Sequence, residues 1–121
     1  MITLKSHGFK FGRPEANYYF DVSFFKNPWR DEAIRKEENR EVRKELVVSF
    51  MKNQEGVYEI VREISLIIAN MNKAFPGENL IVALCCSAGE YRSPAMVEMI
   101  SEKINGFGVV HSIEHSKYSK I

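Results

Sequence analysis

The sequence predicts a single α/β domain: a three-layer fold with a mainly parallel sheet, helices on both faces, and an anion-binding strand–loop–helix. Three observations carry that prediction. Leu80 to Cys85 is a continuous apolar run of strand length, which suits a central parallel strand covered from both sides. Just before it, Val57, Ile60, Val61, Ile64, Ile67, Ile68 and Met71 recur with the 3.6-residue period of a helix. After it come a loop, a second helical pattern and a last short apolar run. Residues 80–113 therefore read as a βαβ unit, which is almost always right-handed.

The elements follow in order. Ile2-Thr3-Leu4 is a short strand that runs into Gly8-Phe9-Lys10-Phe11-Gly12-Arg13-Pro14. Two glycines and a proline so close together mark a structured loop. Tyr18 to Phe25 is aromatic and β-branched, with Tyr18, Phe20, Val22 and Phe24 alternating to one side, so it reads as a strand. Asn27-Pro28 stops it, because a residue before proline is held extended and the strand has nowhere to continue. Arg30 to Glu45 is dense in both charge signs and reads as a solvated loop and helix face. Val42, Leu46 and Phe50 recur at i+4, which predicts a helix over 41–52. Pro76-Gly77 ends the helix that starts at Val57. Pro94 to Asn105 is the next helix, with Val97, Ile100 and Ile104 inward, and Val109 to Ile113 the last strand.

The 121 residues fit one domain, able to bury about two thirds of its unfolded surface. A content of 45% hydrophobic and 27% charged residues excludes a disordered tail, a collagenous repeat and a coiled-coil rod. Seventeen Lys and Arg against sixteen Asp and Glu leave a net charge of +1. That argues against a strongly basic nucleic-acid platform and leaves room for a local patch. The only cysteines, Cys85 and Cys86, are adjacent, so they are no disulfide framework, and the chain reads as resident in a reducing compartment. The N-terminus lacks the apolar stretch of a signal peptide, and no apolar run could cross a bilayer. The expectation is a cytoplasmic protein with no membrane partner. No residue set has metal-ligand spacing, and no cofactor motif is present.

The chemistry concentrates in Cys86-Ser87-Ala88-Gly89-Glu90-Tyr91-Arg92-Ser93, between the buried strand and a helix N-terminus. Open α/β folds place their ligands at such points. Ser93 is expected as the N-cap and Pro94 as the first helical residue. The unpaired N–H groups and dipole of that helix favour an anion. The small residues Ser87, Ala88 and Gly89 let successive N–H groups converge, and Arg92 can grip two oxygens at once. The natural guest is a phosphate-sized oxyanion: phosphate, sulfate or a phosphorylated small molecule.

The spacing also resembles the phosphate loop of cysteine-dependent protein phosphatases, Cys-x-x-Gly-x-x-Arg-Ser. In that reading Cys86 is the nucleophile, Arg92 binds the phosphoryl group and Ser93 assists the leaving thiolate. The plain alternative is that Cys85 and Cys86 are small buried residues ending a strand. Catalysis would need a general acid as well. The aspartates are Asp21, inside a predicted strand, and Asp31, in a charged segment. His7, His111 and His115 are substitutes that read more simply as hydrogen-bonded surface histidines.

Three ordered blocks carry a further resemblance. Ser6-His7-Gly8-Phe9-Lys10-Phe11-Gly12-Arg13-Pro14, Tyr19-Phe20-Asp21-Val22-Ser23-Phe24-Phe25-Lys26-Asn27-Pro28 and Cys86 to Ser93 together resemble the C-terminal domain of RapZ, the bacterial RNase adapter family, whose relatives are described as nucleotide-binding proteins. The resemblance covers nearly the whole chain. It implies a module that senses an amino-sugar phosphate, binds a small regulatory RNA and presents it to a ribonuclease. Members carry an N-terminal ATPase domain with a Walker A loop. This chain has none, so it is expected to be a stand-alone version of the C-terminal module. By position, Cys86, Ser87, Ala88, Gly89, Arg92 and Ser93 match the anion loop, and Lys10 and Asn27 match the other two blocks. The family pattern differs at Ser23, Glu90 and Tyr91, where it has Arg, a basic residue and His. Its basic tail is thinned here to Lys117 and Lys120.

The leading reading is therefore a regulatory, non-enzymatic module that binds a phosphorylated small molecule or a phosphate backbone at residues 86–93, with an RNA or ribonuclease as partner. The alternative is a cysteine-dependent phosphatase or phosphotransferase using Cys86, Arg92 and Ser93.

Overall fold

A computed structural model describes residues 1–121. Four strands, β1 (Ile2–Gly8), β2 (Tyr18–Asp21), β3 (Leu80–Cys86) and β4 (His111–Glu114), form one all-parallel sheet in the order β2-β3-β1-β4. The helices are α1 (Glu32–Lys36), α2 (Arg40–Lys52), α3 (Val57–Ala74) and α4 (Arg92–Gly106). The expected α/β fold is present. No helix is long and apolar enough to cross a membrane.

The direction of each crossover decides which face it covers. The helical connections β2→β3 and β3→β4 both step the same way across the sheet, so right-handedness puts α1–α4 on one side. There Ile2 and Leu4 of β1 and Val82, Leu84 and Cys86 of β3 join one core with Val47, Met51, Val61, Ile68, Met96 and Ile100 of the helices. The β1→β2 connection steps the opposite way and crosses the other face. It holds only a 3-10 turn, Phe9–Phe11. The expected helical layer on this second face is thus reduced to one turn. Phe9 packs edge-on against Tyr19 there, with ring centroids 6.1 Å apart, and Ala83 and Cys85 are buried beneath this side. Thr3, Lys5 and His7 of β1 are half-buried, which explains why β1 alternates while β3 is apolar throughout.

Several boundaries differ from the sequence reading, each for a local reason. β1 extends to Gly8 because it is central, paired with β3 along its whole length. β2 stops at Asp21 rather than Phe25: the Asp21 carboxylate accepts the Ser23 N–H at 2.8 Å, and that turn swings Phe24 into solvent. β4 starts at His111, two residues late. In α3, Val57, Val61, Ile64, Ile68 and Met71 are buried as expected, but Ile60 and Ile67 are 40% and 44% exposed on the flank nearest the sheet edge. Asn39 caps α2 by accepting the N–H groups of Glu41 and Val42.

Candidate functional site

The β3–α4 loop sits on the C-terminal ends of the two central strands, where Gly8 of β1 is paired with Cys86 of β3. Two glycines let the loop settle there. A Cβ at Gly8 would lie 2.4 Å from the Ala88 carbonyl carbon, so only glycine permits the approach of the two backbones. Gly89 has φ +70°, the left-handed region that glycine enters without strain. The Lys10 N–H donates to the Ser87 carbonyl at 3.0 Å and ties the β1–β2 loop to this turn.

The backbone N–H groups of Ser87, Ala88, Gly89, Glu90 and Tyr91 donate no hydrogen bond within the protein. The Arg92 N–H is likewise without a partner, whereas the Ser93 N–H donates to the Cys86 sulfur at 3.4 Å and the Cys86 thiol donates to the Ser93 hydroxyl at 3.3 Å. This corrects the expected cap. α4 begins at Arg92 with Tyr91 as its N-cap and no side-chain capping bond, and Ser93 is already inside the first turn. Its hydroxyl bridges Cys86 and the His7 carbonyl instead, stitching the helix start to β1 and β3. Pro94 accordingly falls third in the helix.

Arg92 is 8% exposed. Its Nη1 donates to the carbonyls of Ser23 and, at 3.1 Å, of Phe25, and its Nη2 to the Ser87 hydroxyl at 3.4 Å. The guanidinium therefore holds the segment after β2 and the β3–α4 loop together. The Nε–H and one Nη2–H remain, the edge that takes two oxygens of one oxyanion.

A cavity of about 290 Å³ opens beside this group, lined by Asn27, Trp29, Cys86, Ala88, Glu90, Tyr91, Arg92 and Lys120. Of the residues expected at the site, Cys86, Ala88, Glu90, Tyr91, Arg92 and Asn27 reach it. Asn27 also caps the short turn at Pro28–Arg30 by accepting the Trp29 N–H. Ser87, Gly89 and Ser93 shape the loop from outside the lining. Lys10 contributes its backbone only; its ammonium lies 5.2 Å from the Phe11 ring.

Sequence reading missed Trp29 and the role of Lys120. The indole stacks on Tyr91, with centroids 6.0 Å apart and planes 26° apart. The Lys120 ammonium pairs with the Glu90 carboxylate at 3.2 Å and sits 5.3 Å from the Trp29 ring and 5.9 Å from Tyr91. Lys120 is placed by its own backbone, whose N–H donates to the Glu90 carbonyl, and by Arg40 and Arg43, which hold the carbonyls of Ser119, Lys120 and Ile121. The one usable signal was that Lys120 is a fixed charge in a polar tail and Trp29 the only tryptophan, next to the Asn-Pro block.

The candidate general acids lie elsewhere. Asp31 caps α1 by accepting the Ala33 N–H. Asp21 pairs across the sheet with Cys85 and bonds Ser23. His7 bonds the Gly12 carbonyl, His111 bonds Ser101, and His115 bridges Ser6 and Glu98. Burial, with the nearby Asp21 carboxylate and Cys86 adding to it, pushes the Cys85 thiol up to about 12, so Cys85 is an inert core thiol. Burial also raises the Tyr91 phenol against the pull of Lys120, so the phenol is neutral in the cavity wall.

The RapZ C-terminal domain profile matches residues 1–119. A nucleotide-binding protein of Vibrio vulnificus is 30% identical over 99% of this chain and 42% of its own length. Nucleotide-binding proteins of Caldicellulosiruptor saccharolyticus and Clostridium acetobutylicum are each 31% identical, over 99% and 95% of this chain and 41% and 40% of theirs. The chain thus spans about two fifths of the length of the curated relatives it matches.

Proposed function

The chain belongs to the RapZ C-terminal domain family, and from that premise we propose that it is a regulatory module that binds a phosphorylated small molecule, of the amino-sugar phosphate type, at residues 86–93. The observation that carries this reading is the row of undonated N–H groups from Ser87 to Tyr91, laid over a helix N-terminus beside a buried guanidinium with a free edge. Amides left without a protein partner are open to a ligand, and an oxyanion is the ligand that satisfies several at once. Arg92 takes two of its oxygens, and the Lys120 ammonium, paired with the Glu90 carboxylate, stands in the same cavity wall. Glu90 and the Trp29–Tyr91 pair line the side where the rest of the molecule would lie. Relatives that carry the name nucleotide-binding protein agree with a phosphate-bearing ligand class.

A role as RNA adapter is the second part of the reading, favoured by one observation. Phe11 and Tyr118 stack face to face, centroids 3.9 Å apart, 42% and 39% exposed, with Lys10 over one ring and Lys117 over the other. Exposed aromatics flanked by cations are how proteins hold unpaired bases. With a net charge of +1, that affinity is expected to be weak and salt-sensitive.

The phosphotransfer alternative has the Ser93–Cys86 contact in its favour and lacks an aspartate or histidine in the cavity. The test is calorimetric titration with inorganic phosphate and with hexosamine phosphates, run beside an aryl phosphate turnover assay and RNA gel shifts at about 50 and 200 mM salt. Saturable binding that Cys86→Ser retains, with no turnover, is the expected result. Turnover abolished by Cys86→Ser would replace this reading with the enzymatic one.

A further inference from the structure

We propose that the segment after β4, residues 115–121, is a strap that sets the anion affinity of the β3–α4 loop. Its backbone aims one of the loop's free N–H groups, and the Lys120 ammonium cancels the charge of Glu90. Lys120 is thus a positioning residue for the site. The strap's role rests on the reading of residues 86–93 as an anion site and adds to it an element from the far end of the chain.

The strap is fixed at both ends. At its start the Ser116 N–H donates to the Ser6 hydroxyl of β1 at 2.8 Å. His115 joins the same hydroxyl, at 3.1 Å, to the Glu98 carboxylate of α4, at 3.2 Å. Ser6 is 1% exposed, so this anchor lies inside the protein. At the other end Arg40 donates to the carbonyls of Ser119 and Ile121, and Arg43 to that of Lys120. Between the anchors the strap lies directly on the loop. A Cβ on Gly89 would stand 2.9 Å from the Ser116 hydroxyl oxygen, and the Lys120 N–H donates to the Glu90 carbonyl at 3.0 Å.

The bond to the Glu90 carbonyl acts beyond the two residues it joins. That carbonyl and the Tyr91 N–H belong to one trans peptide unit, in which C=O and N–H point to opposite sides. Holding the carbonyl toward the strap turns the Tyr91 N–H away from it, where it has no partner in the protein. The Lys10 N–H does the same at the front of the loop: it holds the Ser87 carbonyl and so turns the Ala88 N–H. Phe11 and Tyr118 stack with centroids 3.9 Å apart, so the two outside donors come from segments packed on each other. Donors aimed in advance bind an anion without the cost of ordering them.

The side chain of Lys120 acts on charge. Glu90 is the only acidic residue lining the cavity. Left unpaired, its carboxylate would repel an oxyanion and compete with it for the same N–H groups. The Lys120 ammonium holds that carboxylate at 3.2 Å while resting 5.3 Å from the Trp29 ring and 5.9 Å from Tyr91. The neutral pair leaves Arg92 as the charge that the anion meets. The Lys120 and Glu90 side chains are 48% and 30% exposed, so breaking the pair is read on affinity and leaves folding intact.

The test is calorimetric titration of the full chain with inorganic phosphate, beside circular dichroism spectra that stay unchanged. Lys120→Met should weaken phosphate binding about two- to fivefold, the range of a partly exposed charge pair. Adding Glu90→Gln removes the uncompensated carboxylate and should restore the affinity. Lys120→Pro in the same Glu90→Gln background lacks the backbone donor as well and should stay weak. Equal affinity in wild type and Lys120→Met, a loss that Glu90→Gln does not restore, or equal affinity with Met and Pro at position 120 would overturn the proposal while leaving the anion site standing. A wild type that binds no phosphate would overturn the anion reading, and the strap's role with it.

Discussion

Replacing Arg92 by alanine separates what the guanidinium does for the fold from what it does for the ligand. In the free protein the side chain donates to Ser23, Phe25 and Ser87. Hydrogen bonds from charged donors contribute about 1.5–3 kcal/mol each, and the two carbonyls lie where water can partly replace the donor. A stability loss of about 2–4 kcal/mol is therefore expected, read as a lower urea midpoint with unchanged slope. Phosphate affinity should fall by at least tenfold, the loss of one charge-assisted two-oxygen contact. Arg92→Lys sharpens the comparison. It keeps the charge but cannot reach two carbonyls and an anion with one planar group, so it should recover part of the affinity and little of the stability. The assays are urea denaturation and calorimetric phosphate titration at a temperature where all three forms are folded. Equal phosphate affinity in wild type and Arg92→Ala would refute the reasoning, because the free Nε edge would then have no anion to hold.

Two further outcomes follow from the same region. Burial alone would raise the Glu98 carboxyl, but Lys44 and His115 hydrogen-bond and pair with it and carry it below the ordinary carboxyl range. A depressed carboxyl stabilises above its unfolded pKa of about 4.3 and loses that contribution as pH falls through the lower folded value. The stability gap between wild type and Glu98→Gln should be full at pH 6 and close as pH falls below about 4; a gap independent of pH would show that the pair contributes nothing. Gly8→Ala places a Cβ against the Ala88 backbone, so it should cost about 1–3 kcal/mol or more and weaken phosphate binding as the loop is pushed off β1. Unchanged stability and affinity would mean the loop is not seated by that contact.

What the sequence disclosed and what it hid divide along physical lines. Regular periodicity made α3 and α4 legible, and the continuous apolar run made β3 so; Val42, Leu46 and Phe50 located α2, although the residues it buries are Val47 and Met51 and Val42 is 41% exposed. Residues whose role depends on a particular partner were not legible. Ser93 looks like an N-cap because serine before a proline and an apolar run usually is one. The helix instead starts a residue earlier, since the Cys86 sulfur and the His7 carbonyl offer that hydroxyl better partners. Ile60 and Ile67 complete the helical stripe on paper, yet the sheet ends before it reaches them. The Cys86–Ser93 loop was legible because small residues between a buried strand and a helix encode a shape locally. Lys120 was not, because only the grip of Arg40 and Arg43 on the tail carries its ammonium to a cavity formed by residues far away in sequence.

The place of the site follows from topology rather than from any one residue. β1 and β3 are neighbours, yet their chains leave in opposite directions, β1 across one face to β2 and β3 across the other to β4. Where two adjacent parallel strands part in this way, their onward connections diverge to opposite faces and leave a crevice beside the strand ends. Gly8 and Cys86 are paired at that point. The loop that begins at Cys86 must cross β1 closely to reach α4, which requires glycine at Gly8 and a left-handed turn at Gly89. That turn is also what takes the N–H groups of Ser87 to Tyr91 out of any ladder. The unsatisfied donors and the room for an anion therefore have a common cause in the strand order.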